Sequence, residues 1–278
     1  MISTTYRGVG RSRYFAKFSP LVAGGLAAVA VIAAPAAIGT PMPRGTGGWA
    51  QAWPDPGCGN PKDDIDLWND VKNAKPNSKG NNIKVVWPNN EQNLGYAMHD
   101  GTEPTKTKYN YLLISTIREQ GIECPNLLDS GAPEYFRDAF ENIDLLPPNT
   151  DWALGIESAN NRSRNQLHIH VSRLQSQARA DIDGAAKSIA TDEKGWTNAK
   201  ISVMGKDFRA WNAGSMDHNF FSILDREIVG PRKGNMGNET LLITANKKGG
   251  GYIVLNSDKV SELKPGVDNI EILLNKTA

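Results

Sequence analysis

The chain has 278 residues, of which 39% are hydrophobic and 22% charged, and its formal net charge at pH 7 is +1. These proportions exclude a disordered chain and indicate a globular body of one large domain or two small ones. The near-zero charge supplies no overall field for nucleic acid, so the sequence predicts no nucleic-acid partner.

The first fifty or so residues differ from the rest. Four basic residues lie before residue 20, an apolar run extends from Leu21 to Ile38, and no acidic residue precedes Asp55. A basic start followed by an apolar stretch is typical of a signal peptide or an N-terminal membrane anchor. We therefore expect residues 1–52 to be a signal peptide or anchor plus linker, and residues 53–278 to be the folded domain. The protein is predicted to be exported, either membrane-anchored or secreted.

The chain contains two cysteines, Cys58 and Cys124. An even count in an exported protein permits a disulfide, and only one pairing exists here. Two buried thiols are the alternative. Neither cysteine belongs to a CxxC pair, which argues against a structural zinc site.

The hydrophobic pattern predicts short strands with helices interspersed irregularly. Helices are expected at residues 63–73, from 133 to about 143, at 176–190 and near 218–229. Strands are expected at residues 83–87, 94–98, 109–115, 152–156, 167–173, 201–203, 208–211, 241–244 and 252–255. Because no regular βαβ alternation is present, the pattern predicts an α+β domain on a mainly antiparallel sheet.

Two of the four histidines stand two residues apart in the strand predicted at 167–173. Side chains i and i+2 of a strand project on one face, so His168 and His170 would line the same surface. One interpretation is a histidine nucleophile that attacks phosphorus. A second is a metal pair completed by His99 and His218, and a third is a pair without a chemical role. The spacing alone leaves all three open.

The flanking residues bear on this choice. Residues 160–172, with the sequence NNRSRNQLHIHVS, resemble the active-site segment of the CDP-diacylglycerol pyrophosphatase family, a branch of the histidine-triad superfamily. Looser similarity covers most of residues 90–260, at 109–114, 125–128, the helix from 133, 205–209 and 252–255. The resemblance implies a histidine-triad-like α+β sheet. It also implies hydrolysis of CDP-diacylglycerol to CMP and phosphatidate at a membrane surface, without a metal or other cofactor.

The resemblance also implies the roles of the central residues. His170 would attack phosphorus and form a nucleotidyl-histidine, and His168 would brace the strand or the nucleophile. Asn165, Gln166 and Ser163 would donate hydrogen bonds to the phosphoryl oxygens, where negative charge grows in the transition state.

Two further residues are placed at the substrate by the same resemblance. Arg164 would add positive charge beside the motif, and Ser172 stands where the superfamily carries its third histidine. The serine leaves the group that protonates the leaving phosphate unassigned. Lys206 and Arg209 are candidates to neutralise the pyrophosphate, or they form a solvated face.

Three alternatives remain beside the lipid-nucleotide pyrophosphatase. One is a histidine-triad-type hydrolase or transferase that acts on a soluble nucleotide conjugate. Another is an exported protein that binds a nucleotide or lipid head group without catalysis, as the missing third histidine allows. The last is a metal protein built on the histidine pair.

Overall fold

The structure is a computed structural model that describes residues 58–78, 80–101 and 109–277. The predicted signal or anchor segment, residues 1–52, lies outside the described residues. The strands are β1 (Asn82–Val86), β2 (Tyr96–Asp100), β3 (Asn110–Ser115), β4 (Trp152–Ile156), β5 (His168–Leu174), β6 (Lys200–Val203), β7 (Lys206–Ala213), β8 (Thr240–Ala245), β9 (Tyr252–Ser257) and β10 (Leu274–Asn275). The α-helices are α1 (Asp66–Val71), α2 (Tyr135–Phe140), α3 (Ser176–Gly184) and α4 (Phe220–Leu224).

All the strands join one antiparallel sheet with the order β1-β2-β3-β5-β4-β8-β9-β7-β6. The short β10 also pairs with β5, at Arg173 and Leu174, beyond the last residue of β5 that pairs with β3. Strand β5 therefore has strand partners on both sides over residues 170–173. The expected α+β class with a mainly antiparallel sheet is confirmed.

The two faces of the sheet are covered differently. The largest apolar cluster covers the face that carries Ile169 and Val171 of β5, together with residues of α2 and α4. On the opposite face one cluster joins α1 to β2 and β3, and another joins α3 to β4, β8 and β9. His168 and His170 lie on this second face, because they pair with Ile114 and Leu112 of β3. The histidines thus fill the gap between two apolar clusters.

The elements follow the local sequence closely, with differences at their ends. Strand β4 has the predicted bounds, and the β8–β9 hairpin closes through a turn in which Gly251 takes φ +77°, a value that favours glycine. Helix α3 ends at Gly184 rather than at the predicted residue 190, and a separate 3-10 turn follows at Ala186–Ser188. Glycine is a poor helix former, which accounts for the early end. Helix α4 continues directly as a π-helical turn, Asp225–Val229.

Cys58 and Cys124 form a disulfide with a Cα–Cα distance of 5.4 Å. The alternative of two buried thiols is therefore wrong. The bridge ties the start of the described chain to the segment that precedes the 3-10 turn Pro125–Leu128. Among the described residues, no helix combines the length and the apolar character needed to cross a bilayer.

Candidate active site

Strand β5 holds both imidazoles on one face of the sheet, beside its partner strands β3 and β4. Their ring centroids are 5.2 Å apart, and the ring planes meet at 74°. His170 pairs with Leu112 of β3 on one side and with Gly155 of β4 on the other. The opposite face of β5 is fixed in the core by Ile169 and Val171, so the backbone that carries the histidines is held firmly.

The ring of His168 is oriented by the backbone. Its Nδ1 lies 2.7 Å from the carbonyl oxygen of Gln166, and because a carbonyl only accepts, Nδ1 carries the proton. Burial lowers the pKa of His168, although this hydrogen bond and the charge of Glu271 oppose the shift. His168 is therefore a neutral ring of defined tautomer at neutral pH.

His170 is the more deeply buried of the two, with 4% of its surface exposed. Neither ring nitrogen makes a hydrogen bond to any described residue. Its Nε2 lies 3.1 Å from Oε1 of Glu271, within ion-pair distance but out of line for a hydrogen bond. Burial holds the pKa of His170 well below its usual value, with smaller contributions from His168 and Lys276. The ring is therefore neutral at pH 7 and keeps a free nitrogen lone pair, the form required of a nucleophile.

Glu157 reaches the same place from strand β4. It directly follows the last residue of β4, and that strand pairs with β5 at Gly155 and His170. Its Oε1 accepts a hydrogen bond of 2.9 Å from the side-chain amide of Asn161. Burial, and then the charge of Glu271, raise the pKa of Glu157 to about 7. The carboxyl group can therefore exchange a proton near neutral pH.

The segment 268–277, here called the C-terminal arm, brings the second carboxylate. Glu271 lies in the 3-10 turn Ile270–Leu273, which leads directly into β10. The ammonium of Lys276 contacts Oε1 of Glu271, the same oxygen that faces His170. The charge of Glu271 is thus balanced within the arm.

Two contacts place the C-terminal arm over the histidines. The carbonyl oxygen of Asp268 accepts a 3.0 Å hydrogen bond from the hydroxyl of Ser158. A Cβ at Gly155 would stand 3.2 Å from Cγ2 of Ile270, so the absence of a side chain at Gly155 allows the arm to approach β4. Since Gly155 pairs with His170, this approach brings Glu271 to the imidazole.

Glu157, His170 and Glu271 also meet the spacing of a cation site, because one ligand atom of each lies within 4.8 Å of the others. The ammonium of Lys276 already contacts the carboxylate of Glu271. A divalent cation would have to displace or repel this ammonium, so the residues fit an acid–base cluster with its own counter-charge better than a metal centre.

Two of the predicted substrate contacts are occupied by internal hydrogen bonds. The side-chain amide of Gln166 donates to the carbonyl oxygens of Ser115 and Ile117, at 2.9 and 2.8 Å, which uses both of its hydrogens. The hydroxyl of Ser172 donates to the carbonyl oxygen of Tyr109. Contact of either residue with substrate stays a prediction, and it would require these bonds to break.

The loop before β5 holds the other predicted contacts at the surface. Ser163 and Asn165 are exposed, and Arg164 is partly exposed with its Nε 3.9 Å from a carboxylate oxygen of Asp66. Arg162 fixes the loop, because its guanidinium pairs with both carboxylate oxygens of Glu123 and its Nε donates to Asn165 at 3.0 Å. The substrate roles of Ser163, Arg164 and Asn165 also stay predictions.

The remaining candidates lie elsewhere. His99 lies 3.5 Å from Asp70, and His218 packs against aromatic rings, so neither joins the histidine pair as the metal interpretation required. Arg209 is fully buried and pairs with Asp258 at 3.1 Å. Strand β7, which carries Arg209 and Lys206, is four strands from β5, or roughly 19 Å at the usual spacing between strands. Both interpretations of Arg209 from the sequence, a pyrophosphate contact and a solvated face, are therefore wrong.

Sequence reasoning missed both carboxylates and Lys276. A signal existed only for Glu157, which follows a well-predicted strand. Glu271 and Lys276 lie 101 and 106 positions beyond His170 in the sequence, and no spacing rule connects them to it.

Comparison with known proteins identifies the family of this chain. A sequence model of a family described as CDP-diacylglycerol pyrophosphatase matches residues 63–276, well over half of the chain. A Yersinia pestis protein named CDP-diacylglycerol pyrophosphatase is 33% identical over 156 residues, which cover 52% of this chain and 59% of that relative. The matched region thus spans less than two thirds of the relative's length. On the breadth of the family match, the chain belongs to the CDP-diacylglycerol pyrophosphatase family.

Proposed function

We propose that this protein hydrolyses the pyrophosphate bond of CDP-diacylglycerol and releases CMP and phosphatidate. Family membership supports the substrate and the reaction class. The observation that carries the proposal is His170, a buried imidazole held neutral beside two carboxyl groups. These surroundings favour a role for His170 as a nucleophile at phosphorus over a purely structural role.

The proposed reaction has two displacements. A nitrogen lone pair of His170 attacks the cytidylyl phosphorus, the bridging P–O bond breaks, and phosphatidate leaves. Water then attacks the same phosphorus and the P–N bond breaks. CMP departs, and the imidazole of His170 returns to its neutral form. Because Glu271 covers Nε2 of His170, a phosphoryl group reaches that nitrogen only after the Glu271 side chain moves.

The same proposal includes a histidine-triad-like fold for this domain. A histidine-triad-like enzyme carries its nucleophile on a strand of an antiparallel sheet, with a polar loop before it. Strand β5 and the loop fixed by Arg162 and Glu123 correspond to that arrangement. In this proposal Ser163, Arg164 and Asn165, on the exposed side of the loop, contact the phosphates.

We also propose that residues 1–52 direct export and that the domain acts at a membrane surface, where a diacyl substrate resides. The disulfide supports an oxidising compartment, since such bonds are rare in the cytosol. A hollow beside the site is lined by Gln175, Glu271, Asn275 and Lys276, and it offers a path for the head group.

The test compares the wild type with His170→Ala and His170→Asn on CDP-diacylglycerol in detergent micelles, in the presence of a chelator. Without the nucleophile, CMP release should fall by about 10³-fold or more. Alkaline quenching followed by mass spectrometry should find a CMP adduct on the peptide of β5 in the wild type alone. His218→Ala, which changes a histidine outside the site, serves as the control and should keep its activity. Turnover retained by His170→Ala would contradict the proposal.

A further inference from the structure

The proposed reaction leaves two proton transfers without an assigned group. The bridging oxygen gains charge as phosphatidate leaves, and the attacking water must lose a proton in the second displacement. In the histidine-triad pattern a third histidine stands near this position, but here it is Ser172, whose hydroxyl hydrogen is already donated to the carbonyl oxygen of Tyr109. The acid and base must come from elsewhere in the site.

We propose that Glu157 supplies both transfers, as the proton donor to the leaving phosphatidate and then as the acceptor from the attacking water. This inference rests on the proposed function. Three observations of geometry carry it: Glu157 follows the strand paired with β5, its carboxyl group lies within 4.8 Å of both His170 and Glu271, and Asn161 orients it. No other group of three or more acidic or metal-ligating side chains with this proximity occurs among the described residues.

The charges around Glu157 fit this double role. The titratable and charged groups that face it come from β5, from its own loop and from the C-terminal arm: His168, His170, Arg162, Asp268, Glu271 and Lys276. Burial and then the charge of Glu271 favour the protonated form of Glu157, whereas the ammonium of Lys276, which contacts Glu271, opposes it. Glu157 can therefore hold a proton before the reaction at a pH near neutral.

The proton balance closes over one cycle. In the first displacement, the N–P bond forms, the P–O bond to phosphatidate breaks, and the carboxyl proton of Glu157 passes to the leaving oxygen. In the second, the carboxylate of Glu157 takes a proton from water, the O–P bond forms, and the N–P bond breaks. The ring of His170 regains its lone pair and Glu157 regains its proton, so the cycle needs no co-reactant other than water.

The test compares the wild type with Glu157→Gln on two substrates, and circular dichroism checks that the variant is folded. With CDP-diacylglycerol, loss of the proton donor should reduce kcat by about 10²–10⁴-fold with little change in KM. With the p-nitrophenyl ester of CMP, whose leaving group needs no proton, the first displacement should survive. We then expect a burst of one nitrophenolate per enzyme, followed by slow turnover and accumulation of the CMP adduct on His170.

The burst separates a catalytic role from a structural one. A folded Glu157→Gln protein that loses the burst together with turnover would overturn the assignment, because a proton-transfer role leaves the first displacement intact. CDP-diacylglycerol turnover within threefold of the wild type would overturn it as well. A loss of wild-type activity in chelator that magnesium restores would replace the acid–base role by a metal role.

A second variant tests the assignment without removing the carboxyl group. Asn161→Ala deletes a hydrogen bond that lowers the pKa of Glu157, so the pKa should rise. With the nitrophenyl ester, the limiting step requires the ionised Glu157, and the rise of its rate with pH should move to higher pH. An unmoved profile would contradict the inference.

The matched control is Glu119→Gln. Glu119 is another buried glutamate whose pKa is raised to about 7, but its carboxylate contacts Asn126 and Tyr135 instead of the histidines. This variant should keep the activity of the wild type. If the wild type is inert, or if His170→Ala is active, the proposed function fails; if His170 is required and Glu157 is not, only this inference fails.

Discussion

At the scale of single residues, the site depends on two kinds of side chain whose protonation is shifted in opposite directions. Burial disfavours the charged form of both, so it lowers the pKa of His170 and raises that of Glu157. At neutral pH the imidazole of His170 is in its neutral form, while the carboxyl group of Glu157 is divided between its protonated and ionised forms. A neutral imidazole and a protonated carboxyl group can therefore lie a few ångströms apart without forming an ion pair.

The effect of burial on the pKa of a carboxyl group can also be measured at Glu119, away from the site. Burial raises its pKa from 4.5 to about 7, so between these values the folded chain keeps a proton that the unfolded chain has lost. Its contribution to stability is complete below pH 4.5 and falls as pH rises through 7, by about 3 kcal/mol. Glu119→Gln removes this loss. The unfolding free energy of the variant minus that of the wild type should therefore be larger at pH 8 than at pH 5.

Urea unfolding of both proteins at the two pH values measures this difference, because all other groups are common to both. An equal difference at pH 5 and pH 8 would show that Glu119 does not keep its proton in the fold.

The sequence predicted some of these residues and missed others for physical reasons. The shared face of His168 and His170 follows from the two-residue period of a strand, which is a local rule. The use of Gln166 as a brace depends on the carbonyl groups of Ser115 and Ile117, about fifty positions earlier. Glu271 meets His170 only through tertiary folding, and a single sequence contains no local trace of that contact.

At the scale of elements, the longer alternating and amphipathic segments were predictable, and the short irregular ones were not. Strands β4 and β5 lie within one residue of their predicted bounds. The C-terminal arm is a 3-10 turn followed by a two-residue strand, too short to show any periodicity. Glu271 and Lys276 thus arrive on a segment that sequence patterns cannot reveal.

The contact between β4 and the C-terminal arm can be tested at Gly155. The larger side chain of Gly155→Val would collide with Ile270, since even a Cβ stands 3.2 Å from its Cγ2. We expect a loss of about 1–3 kcal/mol in unfolding free energy. We also expect reduced turnover in the protein that remains folded, because the arm carries Glu271 away from His170.

The control is Gly184→Ala, at a position where a Cβ meets nothing within 4 Å. It should leave both stability and turnover close to the wild type. Full activity in Gly155→Val would show that the arm does not need its close approach to β4.

At the scale of the whole molecule, one covalent link joins distant parts of the chain. The bridge between Cys58 and Cys124 closes a loop of 66 residues that includes α1, β1, β2 and β3. The same region forms one of the two apolar clusters that flank the histidines. The disulfide therefore stabilises the side of the site that faces α1.

Reduction of this bridge should lower the unfolding free energy by about 4 kcal/mol, from the entropy of a loop of this length. Urea unfolding with and without dithiothreitol measures the change. The doubly substituted protein Cys58→Ser, Cys124→Ser is the control, since it should unfold at the same urea concentration in both conditions. A wild type that is insensitive to reductant would show that the bond is absent or without effect on stability.

The position of Glu271 also has a consequence for synthesis. His170 leaves the ribosome 101 residues before Glu271, a delay of roughly 5–20 s at ordinary rates of translation. During that interval the strand that carries His170 exists without the arm that supplies Glu271 and Lys276. The proposed site is thus completed only late in translation, and a stalled or truncated chain carries the histidine without the charges that surround it.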